Sequence, residues 1–231
     1  MRFFTPHIIN PYIVKKGYKR ICEVGSAFGQ NVDLLLQIEN INVDIIDPCF
    51  STDLVAKFQD NSRVNVHKGI SLDILPKLTE AYDCILLDGD HNWYTVFNEL
   101  KTIHEKKLLK SGGAIFLDDV GGPYGRRDMY YNLNTIPAEF IKTNSKSRAD
   151  TYIALAGGGA RNGVLTGVED FLKTYGADYR FFCNMSDSGL GVLIRRDGST
   201  PTDFYKWYLK SQVFHFKNLI RKSLKLWLKT A

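Results

Sequence analysis

No stretch of the 231 residues approaches the roughly 18 consecutive apolar residues that a membrane-spanning helix needs. The start, Met1-Arg2-Phe3-Phe4-Thr5-Pro6-His7, lacks the apolar core of a secretory leader. Cysteine is scarce: Cys22, Cys49, Cys84 and Cys183 lie far apart, and none belongs to a Cys-x-x-Cys pair. That spacing speaks against a zinc site or a disulfide framework, and the expectation is buried, reduced thiols in a cytoplasmic protein. Acid is missing altogether from Phe204 to Ala231, where seven Lys or Arg stand. Removing those seven from the net charge of +5 leaves −2 for residues 1–203. The basic character therefore belongs to a tail, which argues against a general nucleic-acid-binding surface. The dinucleotide fingerprint Gly-x-Gly-x-x-Gly is also absent, because Ala27 and Gln30 occupy its second and third glycine positions after Gly25.

What is present suffices for one large domain: 44% of residues are hydrophobic and 13% aromatic. Two stretches share one pattern. Cys84-Ile85-Leu86-Leu87 runs into Asp88-Gly89-Asp90-His91, and Gly113-Ala114-Ile115-Phe116-Leu117 runs into Asp118-Asp119. Short apolar runs ended by a turn signal read as buried strands, and polar groups at their carboxyl ends face the crevice where open α/β sheets bind ligands. If the two strands are neighbours, Asp88, Asp118 and Asp119 converge. Like charges so placed raise one another's pKa, and a divalent cation would offset the repulsion.

Read in order, residues 1–18 form an aromatic lead-in that packs on the body. Arg20–Val24 is a strand, Gly25-Ser26-Ala27-Phe28-Gly29 a glycine turn, and Gln30–Glu39 a helix. Such a turn lets backbone approach a ligand and presents free amides. A second strand, Val43–Ile46, ends at Asp47, about 20 positions past the glycine turn, where a carboxylate takes ribose hydroxyls. A helix over Thr52–Phe58, a strand over Arg63–His67 and a helical turn over Ser71–Leu78 follow. The acidic strand is followed by a helix over Trp93–Leu109 and a turn at Ser111-Gly112-Gly113. Residues 120–165 break the rhythm and read as a substrate lid holding Arg126-Arg127-Asp128-Met129-Tyr130-Tyr131. A helix from Gly163 and a hairpin of Tyr179–Cys183 with Leu190–Arg195 complete the body. The fold class expected is α/β, a seven-stranded mostly parallel sheet with helices on both faces and a C-terminal antiparallel hairpin.

This pattern resembles the Rossmann-like class I S-adenosylmethionine-dependent methyltransferases. Glu23-Val24-Gly25-Ser26-Ala27-Phe28-Gly29 is similar to that family's Glu/Asp-x-Gly-x-x-x-Gly loop, and Asp47 matches its acidic ribose position. Asp88-Gly89-Asp90-His91 with Leu117-Asp118-Asp119 resembles a narrower group of metal-dependent O-methyltransferases that modify sugar hydroxyls, and Arg127-Asp128-Met129-Tyr130-Tyr131 followed by Gly163-Val164 to Phe171 is similar to relatives in polysaccharide and glycan biosynthesis. The resemblance covers about residues 18–196. It implies that Glu23, Gly25, Ser26, Gly29, Asp47, Gly69, Ser71 and Asp88 hold S-adenosylmethionine, and that Asp88, Asp118 and Asp119 bind Mg²⁺ or Mn²⁺. His91 would be the general base. Arg126, Arg127, Asp128 and Tyr130 are candidates for the substrate, a sugar or glycan-like acceptor that is free or lipid-linked. Asp90 departs from the variable position before the histidine, and its direction is open.

Residues 1–203 are thus expected to be the catalytic domain. Within 204–231, Leu209, Val213, Phe216, Ile220, Leu224 and Trp227 recur at helical spacing with basic residues mostly off the stripe. That helix packs on the body or on a second copy in a homo-oligomer, or lies on the anionic inner face of a membrane. Two other functions compete: a nicotinamide-dependent oxidoreductase, which Asp47 also suits, and a non-catalytic scaffold in a glycan-building complex. Nucleic acid is disfavoured as a partner, because Asp88 opens no Asn/Asp-Pro-Pro-aromatic motif.

Overall fold

The computed structural model describes residues 1–143, 151–185, 187–198, 206 and 209. The chain divides into two units, residues 1–197 and 198–231. The apolar stripe expected within 204–231 lies outside the described residues, apart from Leu209. Among the described residues no helix is long and apolar enough to cross a membrane.

The elements run α1 (Asn10–Lys16), β1 (Arg20–Val24), α2 (Gln30–Leu35), β2 (Asn42–Asp47), α3 (Leu54–Phe58), β3 (Val64–Lys68), α4 (Ser71–Ile74), β4 (Tyr82–Leu87), α5 (Trp93–Glu105) and β5 (Leu109–Asp118). Then come β6 (Met129–Tyr130), β7 (Tyr152–Ile153), α6 (Val164–Tyr175), β8 (Tyr179–Asn184) and β9 (Leu190–Arg195). Seven strands form one sheet in the order β3-β2-β1-β4-β5-β9-β8, while β6 and β7 pair separately. The first five are parallel, and β9 joins antiparallel to β5 and to β8. This is the expected sheet, hairpin included.

Its register positions the site. Ile46 lies beside Val24, Val24 beside Leu87, and Leu87 beside Leu117. The next residues, Asp47, Gly25, Asp88 and Asp118, therefore stand level along the carboxyl edge. The chain order reverses between β1 and β4, the switch point at which open α/β sheets bind ligands.

Alternation along the strands separates two cores. Cys22, Val24, Ile85, Leu87, Ile115 and Leu117 pack with Val96, Leu100 and Ile103 of α5 and Val168 and Phe171 of α6. Phe116 points the other way and meets Tyr12 of α1 edge-on at 6.0 Å. The lead-in is thus a core element: Phe4, Ile8, Ile9, Tyr12 and Ile13 are all buried. Fully burying side chains of this size stabilises by roughly 1.5–3 kcal/mol each.

Three boundaries differ from those expected. The helix after β1 ends at Leu35 instead of Glu39. The helical turn from Ser71 breaks before Pro76 into α4 and one 3₁₀ turn, Leu75–Lys77, because proline lacks the N–H that an α-helix uses. After α5 the chain reverses at Lys107, φ 57°, so Ser111-Gly112-Gly113 lies inside β5. There the register with β4 shifts, and a Cβ on Gly113 would lie 2.9 Å from the Asp83 carbonyl. Gly113 serves that close approach, not a turn.

Candidate active site

A cavity of about 390 Å³ opens at the carboxyl edge of β1, β2 and β4. Its walls include Gly25, Ala27 and Phe28 from the first loop, Asp47, Pro48 and Phe50 after β2, and Ile70, Ser71 and Leu72 at α4. Asp88, Gly89, Asp90 and Thr95 close the β4 side, and Tyr131, Asn132 and Thr135 of the insertion close the mouth.

The glycine loop is braced from beneath. The Glu23 carboxylate, 0% exposed, accepts from the Ser26 hydroxyl at 2.9 Å and the Asn31 amide at 2.7 Å. Burial pushes its pKa up to about 7, against the pull of those two donors. Asp47 Oδ2 accepts the backbone N–H groups of Ser26 and Ala27 at 2.8 and 2.9 Å, and its Oδ1 accepts that of Cys49 at 2.6 Å. A carboxylate offers about four acceptor directions, so one remains on Oδ1, toward a single hydroxyl and not two. Gly25 has φ 81°, and a Cβ there would come within 2.4 Å of the Asp88 carbonyl and of Gly89. Glycine is needed because the ends of β1 and β4 touch.

Of the eight residues expected at the cofactor, Gly25, Asp47, Ser71 and Asp88 line the cavity, whereas Glu23, Ser26, Gly29 and Gly69 do not. Glu23 and Ser26 shape the loop, Gly29 caps α2 with φ 70°, and the Gly69 N–H donates to the Asp47 carbonyl at 3.0 Å. Phe28 and Phe50, 56% and 76% exposed, went unassigned in the sequence. An apolar residue in a loop directly beside a ligand-shaped turn was the available signal.

The acidic cluster is arranged differently from a metal site. Asp88 and Asp118 face each other, and the Met1 ammonium pairs with both, 3.4 Å from Asp88 and in direct contact with Asp118. The Ser188 hydroxyl donates to Asp118 at 2.8 Å. Burial, and then the Asp118 carboxylate, push the Asp88 carboxyl well up. Asp118 stays below the usual carboxylate range: burial opposes this, but the ammonium and Ser188 outweigh it. Asp119 takes a left-handed backbone, φ 57°, and turns to His91, whose Nδ1 lies 3.2 Å from its Oδ2. Among the described residues no three His, Cys, Asp or Glu side chains are grouped to hold a metal ion. The expected trio of Asp88, Asp118 and Asp119 is split between two partnerships, so the donor set does not fit a resident Mg²⁺ or Mn²⁺.

His91 is 7% exposed and stacks on Tyr124 with ring centroids 6.1 Å apart. Tyr131 lies 5.8 Å away on another side. Burial holds the imidazole below its usual range, with Asp90 and Asp118 pulling the other way. Burial raises the Asp119 carboxyl to about 7, and Asp118 adds to the rise. Asp90 lines the cavity and turns to the insertion instead of to the carboxylate pair. It accepts from Asn92 at 2.6 Å, Thr95 at 3.3 Å and the Tyr131 N–H at 3.1 Å, fastening the insertion to the start of α5.

The residues expected at the substrate hold the insertion together. Arg126 pairs with Glu169, and Arg127 Nε donates to the Ala154 carbonyl at 2.7 Å. Asp128, 1% exposed, accepts from Trp93 N and Gly163 N. Tyr130 is 0% exposed and donates to Asp128 at 3.0 Å. Its neighbour Tyr131 faces the cavity instead.

Residues 22–120, the segment that holds the glycine loop and both acidic strand ends, match a family model described as a methyltransferase domain. Over that segment the chain is similar to methyltransferase domains. Among solved structures, similar folds include the O-methyltransferase TomG from Streptomyces achromogenes, involved in tomaymycin synthesis and solved with S-adenosylmethionine (17% identity, 81% of this chain and 78% of that one, TM-score 0.53). Another is an O-methyltransferase from Bacillus cereus bound to S-adenosylhomocysteine (16% identity, 81% and 79%, TM-score 0.52). A third is the methyltransferase PaMTH1 from Podospora anserina, also bound to S-adenosylhomocysteine (16% identity, 82% and 76%, TM-score 0.52). No curated protein sequence matches the chain. At these identities the likeness shows the fold alone.

Proposed function

We propose that the protein transfers a methyl group from S-adenosylmethionine to a hydroxyl of a sugar or glycan-like acceptor. The observation that supports this most is the buried His91 imidazole, 3.2 Å from Asp119, next in sequence to the cavity-lining Asp90 and 5.8 Å from the ring of the cavity-lining Tyr131. S-Adenosylmethionine, when bound, supplies a methyl group on a sulfonium, open to in-line displacement by oxygen. The cavity residues suit it: Phe28, Pro48, Phe50, Ile70 and Leu72 offer apolar faces to a purine, and Asp47 keeps one acceptor direction for a ribose hydroxyl. Asp88 offers a carboxyl that an incoming ammonium would draw back to its charged form.

A sugar hydroxyl is a weak nucleophile, so proton removal matters. With Nδ1 toward Asp119, the free Nε2 of His91 takes the hydroxyl proton as the O–C bond forms, and the Asp119 carboxylate stabilises the imidazolium. Tyr124 and Tyr131 flank the imidazole and give flat faces on which a sugar ring can rest. His91→Ala should lower kcat by about 10²–10⁴-fold while the Kd for S-adenosylhomocysteine by calorimetry stays put. Equal loss of both would mean that His91 only holds the fold.

No step is routed through a metal, given how the carboxylates are engaged. Dialysis against a chelator should leave turnover as it was, and a rate restored only by added Mg²⁺ would show that the cluster rearranges around an ion. The nicotinamide alternative is not favoured: Ala27 and Gln30 stand where its glycines belong, and the matched family points elsewhere. The basic, apolar-striped tail in the sequence suits a lipid-linked acceptor at an anionic surface. Sedimentation with acidic vesicles, with and without residues 204–231, tests that part.

A further inference from the structure

Two aromatic rings at the cavity stand on backbone that has to be held in place. Phe28 and Phe50 line the cavity and are largely exposed. Each follows a non-glycine residue in the left-handed region, Ala27 at φ 49° and Cys49 at φ 61°. A Cβ disfavours that region by about tenfold. One carboxylate holds both turns. Asp47 Oδ2 accepts the Ser26 and Ala27 N–H groups at 2.8 and 2.9 Å, and Oδ1 accepts the Cys49 N–H at 2.6 Å. Three of its roughly four acceptor directions therefore serve the protein. The first loop is also fastened beyond Ala27, where Lys57 Nζ donates to the Phe28 carbonyl at 2.9 Å and pairs with Asp33 at 2.7 Å. In the second loop Pro48 precedes Cys49, and its ring stiffens the approach to the turn.

We propose that Asp47 is a positioning residue before it is a ribose ligand: it holds Ala27 and Cys49 left-handed and thereby sets Phe28 and Phe50 as apolar walls for a purine. The inference rests on the reading of the cavity as an S-adenosylmethionine site. Without the carboxylate both turns relax toward ordinary φ and the rings leave their places. A purine then loses its walls whether or not its ribose carries hydroxyls. A carboxylate that only bound ribose would matter for the hydroxyl-bearing ligand alone. Glycine takes positive φ as readily as negative, so Ala27→Gly and Cys49→Gly remove the Cβ that opposes each turn and make the loops depend less on Asp47.

Calorimetry on the full chain, with S-adenosylhomocysteine and its 2′,3′-dideoxy analogue, separates the two roles. Asp47→Ala should weaken both ligands by about tenfold or more. In the Ala27→Gly, Cys49→Gly background the same change should cost the analogue only a few-fold. Phe50→Ala should weaken the analogue in the unaltered protein and add little once Asp47 is gone. An Asp47→Ala protein that loses affinity only for the hydroxyl-bearing ligand overturns the assignment, as do equal losses in both backgrounds or a fully additive Phe50→Ala. Should Asp47→Ala fail to melt cooperatively, Asp47→Asn decides. Its amide oxygen can accept from Ser26 and Ala27 while its NH₂ meets the Cys49 N–H, so analogue affinity should fall and Cys49→Gly should recover part of it. An unchanged affinity, or a loss that Cys49→Gly leaves as it was, overturns the proposal. If the unaltered protein binds neither ligand, the cofactor reading falls and the Asp47 role with it. Binding of S-adenosylhomocysteine but not of the analogue removes only the Asp47 role, because the hydroxyls and not the walls would then carry the affinity.

Discussion

At Asp128 one carboxylate ties three parts of the chain together. It accepts from the Trp93 N–H at the start of α5 at 2.7 Å, from Gly163 N–H before α6 at 2.6 Å and from the Tyr130 hydroxyl at 3.0 Å. Asp128→Ala would leave buried donors unpaired and should cost about 3 kcal/mol or more, read as a lower urea midpoint. Arg126→Ala, two residues away, breaks an exposed pair with Glu169 and should cost less than about 1 kcal/mol. The sequence could not separate these two neighbours. A loop run of Arg-Arg-Asp-Met-Tyr-Tyr displays chemical types without directions, and all four of Arg126, Arg127, Asp128 and Tyr130 read equally well as substrate contacts. Direction is set by β6, whose pleat sends Tyr130 inward while Tyr131, just past it, faces the cavity. Asp47 was the opposite case, because a carboxylate ending a strand beside a glycine loop has few other places to point.

Among the elements, legibility follows how local the causes are. The five parallel strands and the hairpin were readable because each is a short apolar run ended by glycine or acid, and burial on both faces forces that composition. The level line of Gly25, Asp47, Asp88 and Asp118 follows from their registers. The insertion was readable only as an interruption, since its order depends on side-chain contacts made across sequence. Asn162 is central to them. It accepts the Asp128 N–H at 2.8 Å and donates to the carbonyls of Ala156 and Gly158 at 3.0 and 2.7 Å. Asn162→Ala should loosen the insertion without unfolding the sheet. Hydrogen exchange should quicken over residues 126–143 and 151–158 and stay slow in β1, β4 and β5. With Tyr131 and Asn132 less well held, acceptor KM should rise more than cofactor KM, and equal rises would place the damage in the cofactor cavity instead.

For the molecule as a whole, the buried acids set how stability answers to pH. Burial raises the Glu23 carboxyl to about 7 and the Glu99 carboxyl to about 8, against about 4.3 for an unfolded glutamate. Between those values the folded chain binds more protons than the unfolded one, so stability falls as pH rises. The stabilisation from both groups is complete below about pH 4 and is lost as pH climbs through their folded values. His91 acts in the other direction. Burial lowers its pKa, so the unfolded chain takes up an extra proton below about pH 6.5, and folding loses stability there. Asp119, also raised to about 7, and Asp88, also pushed up, act on the same side as the two glutamates, so the raised acids outweigh the one lowered imidazole from about pH 5 upward, and from about pH 6.5 to pH 8 they act without that opposition. The melting temperature should therefore drop with rising pH most steeply in the upper part of that window. Glu99→Gln should flatten the upper part and leave a residual slope ending near the Glu23 value. A profile as steep in the variant as in the unaltered protein would mean that Glu99 reaches solvent and titrates as an ordinary glutamate. In that case its unpaired Oε1 would be hydrated.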